Sequence, residues 1–183
     1  MTILHIDSSI TGENSVSRKI SAAIADNLKR ARGAATLVHR DLAAEPLEHL
    51  TLDSFADSSI LDEFLAADTI VIGAPMYNFT LPSQLKAWLD RVLIAGKTFR
   101  YTAEGPEGLA GGKRVIVALA RGGIYDAGSP VAGLEHLETY LRVVFNFIGI
   151  EPEFVAADGL NISAEQKERA IAAALGETVR LAA

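Results

Sequence analysis

The sequence predicts an α/β protein built on a doubly wound sheet of five parallel strands, in the order 2-1-3-4-5, with helices on both faces. Short apolar runs alternate along the chain with segments whose apolar residues recur at helical spacing. The connections are mostly short, and no internal repeat or linker interrupts the alternation. We therefore expect a single domain over residues 1–183.

The strands are predicted from short continuous runs of apolar and β-branched residues, which are typical of a parallel sheet covered on both faces. The run Thr69 to Ala74 is the clearest, because it contains no charged residue and leads into a proline. The five predicted strands are residues 2–7, 35–39, 69–74, 114–120 and 154–157.

The helices are predicted from amphipathic spacing and from their terminal residues. The predicted segments are 18–31, with Ile20, Ile24 and Leu28 on one face; 59–67, with Ile60, Phe64 and Leu65 facing inward; a helix whose first turn holds Pro82 and which ends at Gly96; an apolar stripe from Leu134 to Ile148 that stops at Gly149; and a final helix opened by the capping box Ser163–Gln166. Residues 99–113 form the one long irregular connection and predict a hairpin or flap.

Composition excludes several classes of function. With 0 Cys, the chain has no disulfide, no thiolate nucleophile and no Cys-ligated metal. A net charge of −6 disfavours a nucleic-acid partner, and no stretch is apolar over a length that would span a membrane. The N-terminus has no signal-peptide pattern, so we expect a cytoplasmic protein. The four histidines (His5, His39, His49 and His136) lack metal-ligand spacing, and we expect structural or surface roles and no metal.

The loop after the first strand is rich in hydroxyl groups. It runs from Ser8 to Ser17 and leads into the first helix, where hydroxyls, free N–H groups and the helix dipole can bind an anion. The dinucleotide pattern G-x-G-x-x-G is absent, and Gly112-Lys113 lacks the rest of a Walker loop. A mononucleotide phosphate fits this loop, although ordinary N-capping by Ser15 or Ser17 explains the hydroxyls equally well.

Two further loops follow the third and fourth strands. In the first, Pro75 precedes large side chains that suit a flat aromatic ligand; in the second, Gly122 and Gly123 allow a close backbone approach. Each loop alone is also consistent with a plain turn. The strand order makes the first, third and fourth strands neighbours, so the three loops are expected to converge at the switch point of the sheet.

At these residues the chain resembles the FMN-dependent NADH azoreductases of the flavodoxin-like superfamily, which also act as quinone reductases. The resemblance covers nearly the whole chain. It rests on the loop 8–17, the block 74–79 with 84–86, the segments 98–102 and 105–109, the loop 121–125, and residues 147–150.

The resemblance implies a non-covalently bound FMN, with NADH as donor and quinones or azo compounds as acceptors. It implies ping-pong turnover in one site, with hydride passing through flavin N5, and a homodimer with sites at the interface. The implied phosphate ligands are Ser9, Ser15, Val16 and Ser17, and the implied isoalloxazine contacts are Pro75, Met76, Tyr77, Asn78, Phe79, Ala120, Arg121, Gly122 and Gly123.

An aromatic slot for the acceptor is predicted from Phe79, Tyr101 and Phe147, although Phe147 is also explained as a core residue. No catalytic side chain is required, because the flavin carries the chemistry. Tyr77, Tyr101 and Tyr125 are possible proton donors, and solvent is an alternative. Two departures from the family concern Ala120, where a serine is frequent, and the stretch between Asp41 and Leu61, which is shorter than in many members.

Two other functions fit the same fold. A flavodoxin-like electron carrier would bind FMN without turning over NADH. A receiver-type regulatory domain needs an acidic cluster at the end of the first strand, where this chain has only Asp7 before Ser8 and Ser9. The enzyme is therefore the favoured hypothesis.

Overall fold

The computed structural model describes residues 1–182, which form seven strands and five α-helices. In chain order these are β1 (Thr2–Asp7), α1 (Val16–Arg32), β2 (Thr36–Asp41), α2 (Ser59–Ala66), β3 (Thr69–Pro75), α3 (Ser83–Val92), β4 (Phe99–Thr102), β5 (Gly105–Gly108), β6 (Arg114–Ala120), α4 (Glu138–Phe147), β7 (Glu153–Ala157) and α5 (Ala164–Ala182). No helix in this part of the chain has the length and apolarity needed to cross a bilayer.

The main sheet contains five parallel strands in the order β2-β1-β3-β6-β7. Counting only the strands of this sheet, that is the predicted order 2-1-3-4-5. In the register, Asp7 pairs with Gly73, and Pro75 pairs with Ala120. The carboxyl ends of β1, β3 and β6 therefore lie side by side at one edge of the sheet.

Two apolar layers cover the sheet. On one side, residues of α2, α3 and α4 pack on the sheet, and Phe64 meets Trp88 edge-on with ring centroids 6.0 Å apart. On the other side, α1 and α5 cover the sheet, and the predicted stripe of Ile20, Ile24 and Leu28 is fully buried. Burial of side chains of this size stabilises the fold by about 1.5–3 kcal/mol each.

The predicted positions of two leucines are wrong. Leu65 is 38% exposed, because α2 buries Ile60, Leu61 and Phe64 instead. Leu134 is 43% exposed and lies in a 3₁₀ turn before α4.

The predicted ends of two helices also shift. The carboxylate of Glu135 accepts the N–H groups of Leu137, Glu138 and Thr139, so α4 begins at Glu138. Helix α3 ends at Val92 rather than at Gly96, because the Thr98 hydroxyl donates to the Val92 carbonyl. Pro82 is the residue before α3, not part of its first turn.

The predicted flap is a two-stranded hairpin made of β4 and β5. Phe99 anchors it, with its ring 4.7 Å from the ring of Phe147 at the end of α4. Gly108 lies so close to Ile148 and Gly149 that a Cβ there would overlap their backbone. The hairpin therefore docks on α4 through a contact that only glycine permits.

We predict that Gly108→Ala destabilises the protein by about 1–3 kcal/mol, the usual cost of overpacking. Urea unfolding at neutral pH measures the difference. Gly111→Ala is the matched control, because its Cβ would come no closer than 3.4 Å to the Gly149 carbonyl oxygen. Equal stability of the two variants would show that the hairpin does not depend on this docking contact.

Candidate FMN site at the carboxyl edge of the sheet

The loop between β1 and α1 is fixed by its hydroxyl groups. Ser8 is fully buried and donates to the Gly73 carbonyl at 2.7 Å. Ser15 caps α1 by accepting the Arg18 N–H at 3.3 Å, and the buried Ser17 hydroxyl lies 3.1 Å from that of Ser15. Capping by Ser15, the alternative left open by the sequence, is thus present.

The cap by Ser15 leaves other backbone N–H groups of the first turn of α1 without a hydrogen bond among the described residues. The N–H groups of Val16 and Ser17 have no acceptor within residues 1–182. They open a 17-residue helix whose dipole places partial positive charge at this end. The capped terminus therefore still offers two N–H groups to an anion.

The loop after β3 is a tight two-residue turn. The Tyr77 N–H donates to the Thr80 carbonyl at 2.9 Å, and the Thr80 N–H donates back at 3.1 Å. Between them, Asn78 and Phe79 have φ values of 47° and 71°, in the left-handed region. For a bulky residue such as Phe79 this conformation costs on the order of 1–3 kcal/mol.

The strained turn is held by a neighbouring segment. The backbone N–H of His136 donates to the Phe79 carbonyl at 2.9 Å. The N–H groups of Asn78 and Phe79 themselves find no acceptor in the described chain. The turn thus presents two unused donors at the edge of the sheet.

The loop after β6 is fixed by the side chain of Arg121, which is 7% exposed. Its guanidinium donates to Asp158 at 2.6 and 2.8 Å and to Glu138 at 3.3 Å. Burial alone would lower the Arg121 pKa, but these carboxylates raise it above its usual value, so the arginine stays charged. The side chain therefore points into an ion-pair cluster of the protein.

The two glycines that follow Arg121 pack against the loop after β7. The carbonyls of Gly122 and Gly123 accept the N–H groups of Asn161 and Gly159 at 3.0 and 2.9 Å. A Cβ at Gly122 would lie 2.5 Å from the side-chain amide nitrogen of Asn161, so a residue larger than glycine would displace that side chain. Within the described residues, the glycine N–H groups donate to no acceptor.

Hydrogen bonds join the three loops to one another. The Tyr77 hydroxyl accepts the Ile10 N–H at 3.1 Å and lies 3.2 Å from the Ser9 hydroxyl. The Met76 N–H donates to the Ala120 carbonyl at 2.9 Å. The predicted convergence of the loops is therefore present, and the Tyr77 hydroxyl takes part in it.

The ion pair between Arg18 and Asp41 fixes the loop between β1 and α1. Arg18 donates to the Ser9 carbonyl at 2.7 and 3.2 Å and to both oxygens of Asp41 at 2.6 and 2.7 Å. The hydrogen bonds from Arg18 lower the pKa of Asp41 to about 2. The loop conformation thus depends on a charge pair between α1 and β2.

Where the loops meet, the surface encloses a cavity of about 370 Å³. A second cavity, of about 610 Å³, lies beside it and also has Tyr77 in its wall. The first cavity is lined by Ser9, Thr11, Asn14, Ser15, Val16, Pro75, Met76, Tyr77, Ala120, Gly122, Leu160, Asn161 and Lys167. Both volumes are in the range of small-molecule and cofactor sites.

Sequence reasoning missed Thr11, Asn14, Leu160, Asn161 and Lys167 as lining residues. A signal was available for the last three. The predicted strand order places the fifth strand next to the fourth, so the loop after it ends at the same edge. Lys167 lies on the first turn of the helix that follows this loop.

The predicted aromatic slot is only partly assembled in the single chain. Phe79 is 46% exposed and Tyr101 is 74% exposed. Tyr101 and Phe147 each contact Phe99, with ring centroids 5.6 and 4.7 Å away. Neither cavity described above is lined by any member of the predicted slot. The ring of Tyr125 lies against Gly123.

Comparison with known proteins agrees with this geometry. Residues 1–181 match the flavodoxin-like fold family. The FMN-dependent NADH:quinone oxidoreductase 2 of Bradyrhizobium diazoefficiens is 54% identical over 201 aligned positions, which cover 100% of both chains. The chain belongs to the FMN-dependent NADH:quinone oxidoreductase and azoreductase family.

Other members support the assignment. The enzyme of Sinorhizobium fredii with the same activity in its name is 54% identical over 206 positions and is also covered completely. Among solved structures, the azoreductase AzrA has a TM-score of 0.91 and 33% identity, covering 100% of this chain and 99% of its own. An FMN-dependent NADH-azoreductase of Bacillus anthracis, solved in complex with FMN, has a TM-score of 0.87 and 28% identity, with coverage of 100% and 99%.

This member of the family is short. The alignment to the Bradyrhizobium enzyme spans 201 positions, whereas this chain has 183 residues. Relatives of that length therefore carry segments that this chain lacks.

We predict that Asp41→Asn lowers the free energy of unfolding of the flavin-free protein at pH 7 by about 1–2 kcal/mol, since the carboxylate is partly exposed and screened. The folded pKa of about 2 is below the usual aspartate pKa of 3.8, so the stabilisation is present above about pH 4 and is lost as the pH falls through 2. Urea unfolding at pH 7 and pH 3 should show a smaller difference between the proteins at pH 3. A difference that does not change with pH would argue against the ion pair.

Proposed function

We propose that this chain is an FMN-dependent NADH:quinone oxidoreductase that also reduces azo compounds. The observation that carries the proposal is the hydroxyl-lined cavity of about 370 Å³ at the meeting point of three loops. Relatives named for this activity are 54% identical over their whole length. The whole chain, residues 1–183, acts as one domain.

The phosphate end of FMN binds at the start of α1. Ser9, Ser15, Val16 and Ser17 surround it, as the resemblance implied. The N–H groups of Val16 and Ser17, which have no acceptor among residues 1–182, support this assignment, because an anion can accept hydrogen bonds from both. Lys167 supplies a positive charge in the wall of the same cavity.

The ring end binds between the loops after β3 and β6. Asn78, Phe79, Gly122 and Gly123 have N–H groups without acceptors in residues 1–182, and these would be available to the polar edges of the ring, while Met76 and Tyr77 would line its walls. Donors fixed before the reaction stabilise the negative charge that develops on a bound ring at low reorganisation cost. The role of Arg121 is to fix this loop, since its side chain is engaged by Asp158. Pro75 and Ala120 complete the cavity wall.

When bound, FMN supplies the redox chemistry, taking a hydride from NADH and giving it to a quinone or azo acceptor in ping-pong order. The protein binds both substrates in turn and needs no catalytic side chain. The hydroxyl of Tyr77 holds the first loop through Ile10 and is therefore a positioning group. Tyr101 and Tyr125 remain candidate proton donors, with solvent as the alternative.

The acceptor binds in the cavity of about 610 Å³ beside the ring. The protein is a cytoplasmic homodimer, and in the dimer a second chain completes the aromatic slot of Phe79, Tyr101 and Phe147. Support for a dimer comes from apolar side chains on the surface of the single chain. Tyr101 is 74% exposed and Val143 is 62% exposed. Burying these side chains against a second chain would remove their apolar area from water.

We predict that Lys167→Glu weakens FMN binding by about 5- to 20-fold, because a negative charge replaces a positive one near the phosphate. Riboflavin lacks that phosphate, so its affinity should change little. Quenching of flavin fluorescence by the apoprotein measures both affinities.

Arg169→Glu is the control for this charge reversal. It lies on the same helix, its side chain is 67% exposed, and it does not line the cavity. Equal losses of FMN and riboflavin affinity in Lys167→Glu would place the phosphate elsewhere.

We predict parallel double-reciprocal plots for NADH and a benzoquinone, because a single cavity beside the ring serves both substrates in turn. Initial rates at several fixed quinone concentrations provide the test. Intersecting lines would indicate a ternary complex and would contradict the shared site. Tight FMN binding with no NADH turnover would instead favour the electron carrier.

A further inference from the structure

A second polar cluster lies on the α1 face of the sheet, outside the cavity assigned to FMN. It consists of His5 and Asp7 on β1 and His39 on β2, and we call it the His–Asp–His cluster. Because side chains two residues apart on a strand share a face, His5 and Asp7 point the same way. The parallel register places His39 directly beside His5. The spacing of the histidines in the sequence does not reveal this pairing.

The three side chains converge on one point. The Nε2 atom of His39 lies 3.0 Å from one oxygen of Asp7, and the Nε2 atom of His5 lies 3.5 Å from the other. The imidazole rings are tilted by 34° with centroids 4.7 Å apart, and one ligand atom from each residue lies within 4.8 Å of the others. Both imidazoles therefore turn the same nitrogen toward the same carboxylate.

We propose that the His–Asp–His cluster binds a divalent transition-metal ion of the zinc class, with three protein ligands and an open position for water. Two imidazole nitrogens and one carboxylate form a ligand set that zinc and its neighbours accept. Ligands at about 2.0–2.2 Å from an ion in tetrahedral geometry are separated by about 3.3–3.6 Å. The distance from His5 to Asp7, 3.5 Å, lies within that range, and the distance from His39 to Asp7, 3.0 Å, is a few tenths of an ångström shorter.

The surroundings suit a metal site. His5 and Asp7 are 6% and 4% exposed, which preorganises two ligands, while His39 and a solvent-open cavity of about 770 Å³ provide a path of entry. The Ser21 hydroxyl donates to Asp7 at 2.9 Å and holds the carboxylate in place. This hydroxyl also lies 2.9 Å from the His5 Nε2, a contact that the ion would replace.

The charge around the cluster has to permit a cation. The guanidinium of Arg18 lies 3.7 Å from Asp7. Because it donates to both oxygens of Asp41, its positive charge is balanced mainly by Asp41, and the negative charge of Asp7 is left for a cation. Glu13 and Lys19 line the same cavity and carry opposite charges.

Equilibrium dialysis of the untagged FMN-loaded protein against Zn²⁺ at about pH 7.5 tests the proposal. We expect saturable binding of about one ion per chain. His39→Gln removes the most exposed ligand and should weaken binding at least about 10-fold. Its far-UV spectrum and metal-free thermal midpoint show whether it folds.

His49→Gln is the control, because His49 is an exposed histidine that does not belong to the cluster. It should leave Zn²⁺ affinity unchanged. Co²⁺ in place of Zn²⁺ should give the visible bands of a low-coordinate site, and those bands should be absent in His39→Gln. The proposal is overturned if the parent shows no saturable binding below about millimolar Zn²⁺, if folded His39→Gln binds as well as the parent, or if His49→Gln loses as much affinity as His39→Gln.

Discussion

The candidate site depends on the parallel register of β1, β3 and β6. Because Asp7 pairs with Gly73 and Pro75 pairs with Ala120, the chain leaves all three strands at one edge of the sheet. Each following loop then finds hydrogen-bond partners in its neighbours, as in the contact from Met76 to Ala120. A one-residue slip in this register would separate the loops and move the side chains of the strand to the opposite face of the sheet. The apolar layers on both faces therefore support the binding edge as well as the stability of the fold.

The loops combine strong anchoring with unused backbone donors. Arg121 is buried among carboxylates, and Arg18 joins the Ser9 carbonyl to Asp41. These ion pairs hold the backbone, while the N–H groups of Gly122 and Gly123 have no acceptor among residues 1–182. The left-handed backbone conformation of Phe79 is also held by its neighbours, because an unfavourable φ persists only where the surrounding structure enforces it. A ligand that accepts these hydrogen bonds relieves the cost of leaving them unmade.

Much of the fold could be predicted from the sequence, because continuous apolar runs such as Thr69 to Ala74 have few other structural solutions. The three loops followed from the strand order alone. The ends of the helices and their buried faces were less predictable. Leu65 fits the apolar pattern of α2, but tertiary packing buries Leu61 and leaves Leu65 exposed. Leu134 fits the apolar pattern of α4, but the side chain of Glu135 caps the helix after it. Lys167 was missed although the predicted strand order places its loop at the binding edge, and the His5–His39 pairing was missed because it depends on the register between β1 and β2.

We propose that one edge of the sheet holds FMN and passes electrons from NADH to an acceptor. Anaerobic titration of the FMN-loaded protein, first with NADH and then with a benzoquinone, tests this electron transfer. We expect about one NADH per flavin to bleach the flavin absorption and about one quinone to restore it. Flavin that stays oxidised in the presence of NADH, yet is reduced by a chemical reductant, would show that the site does not accept electrons from NADH.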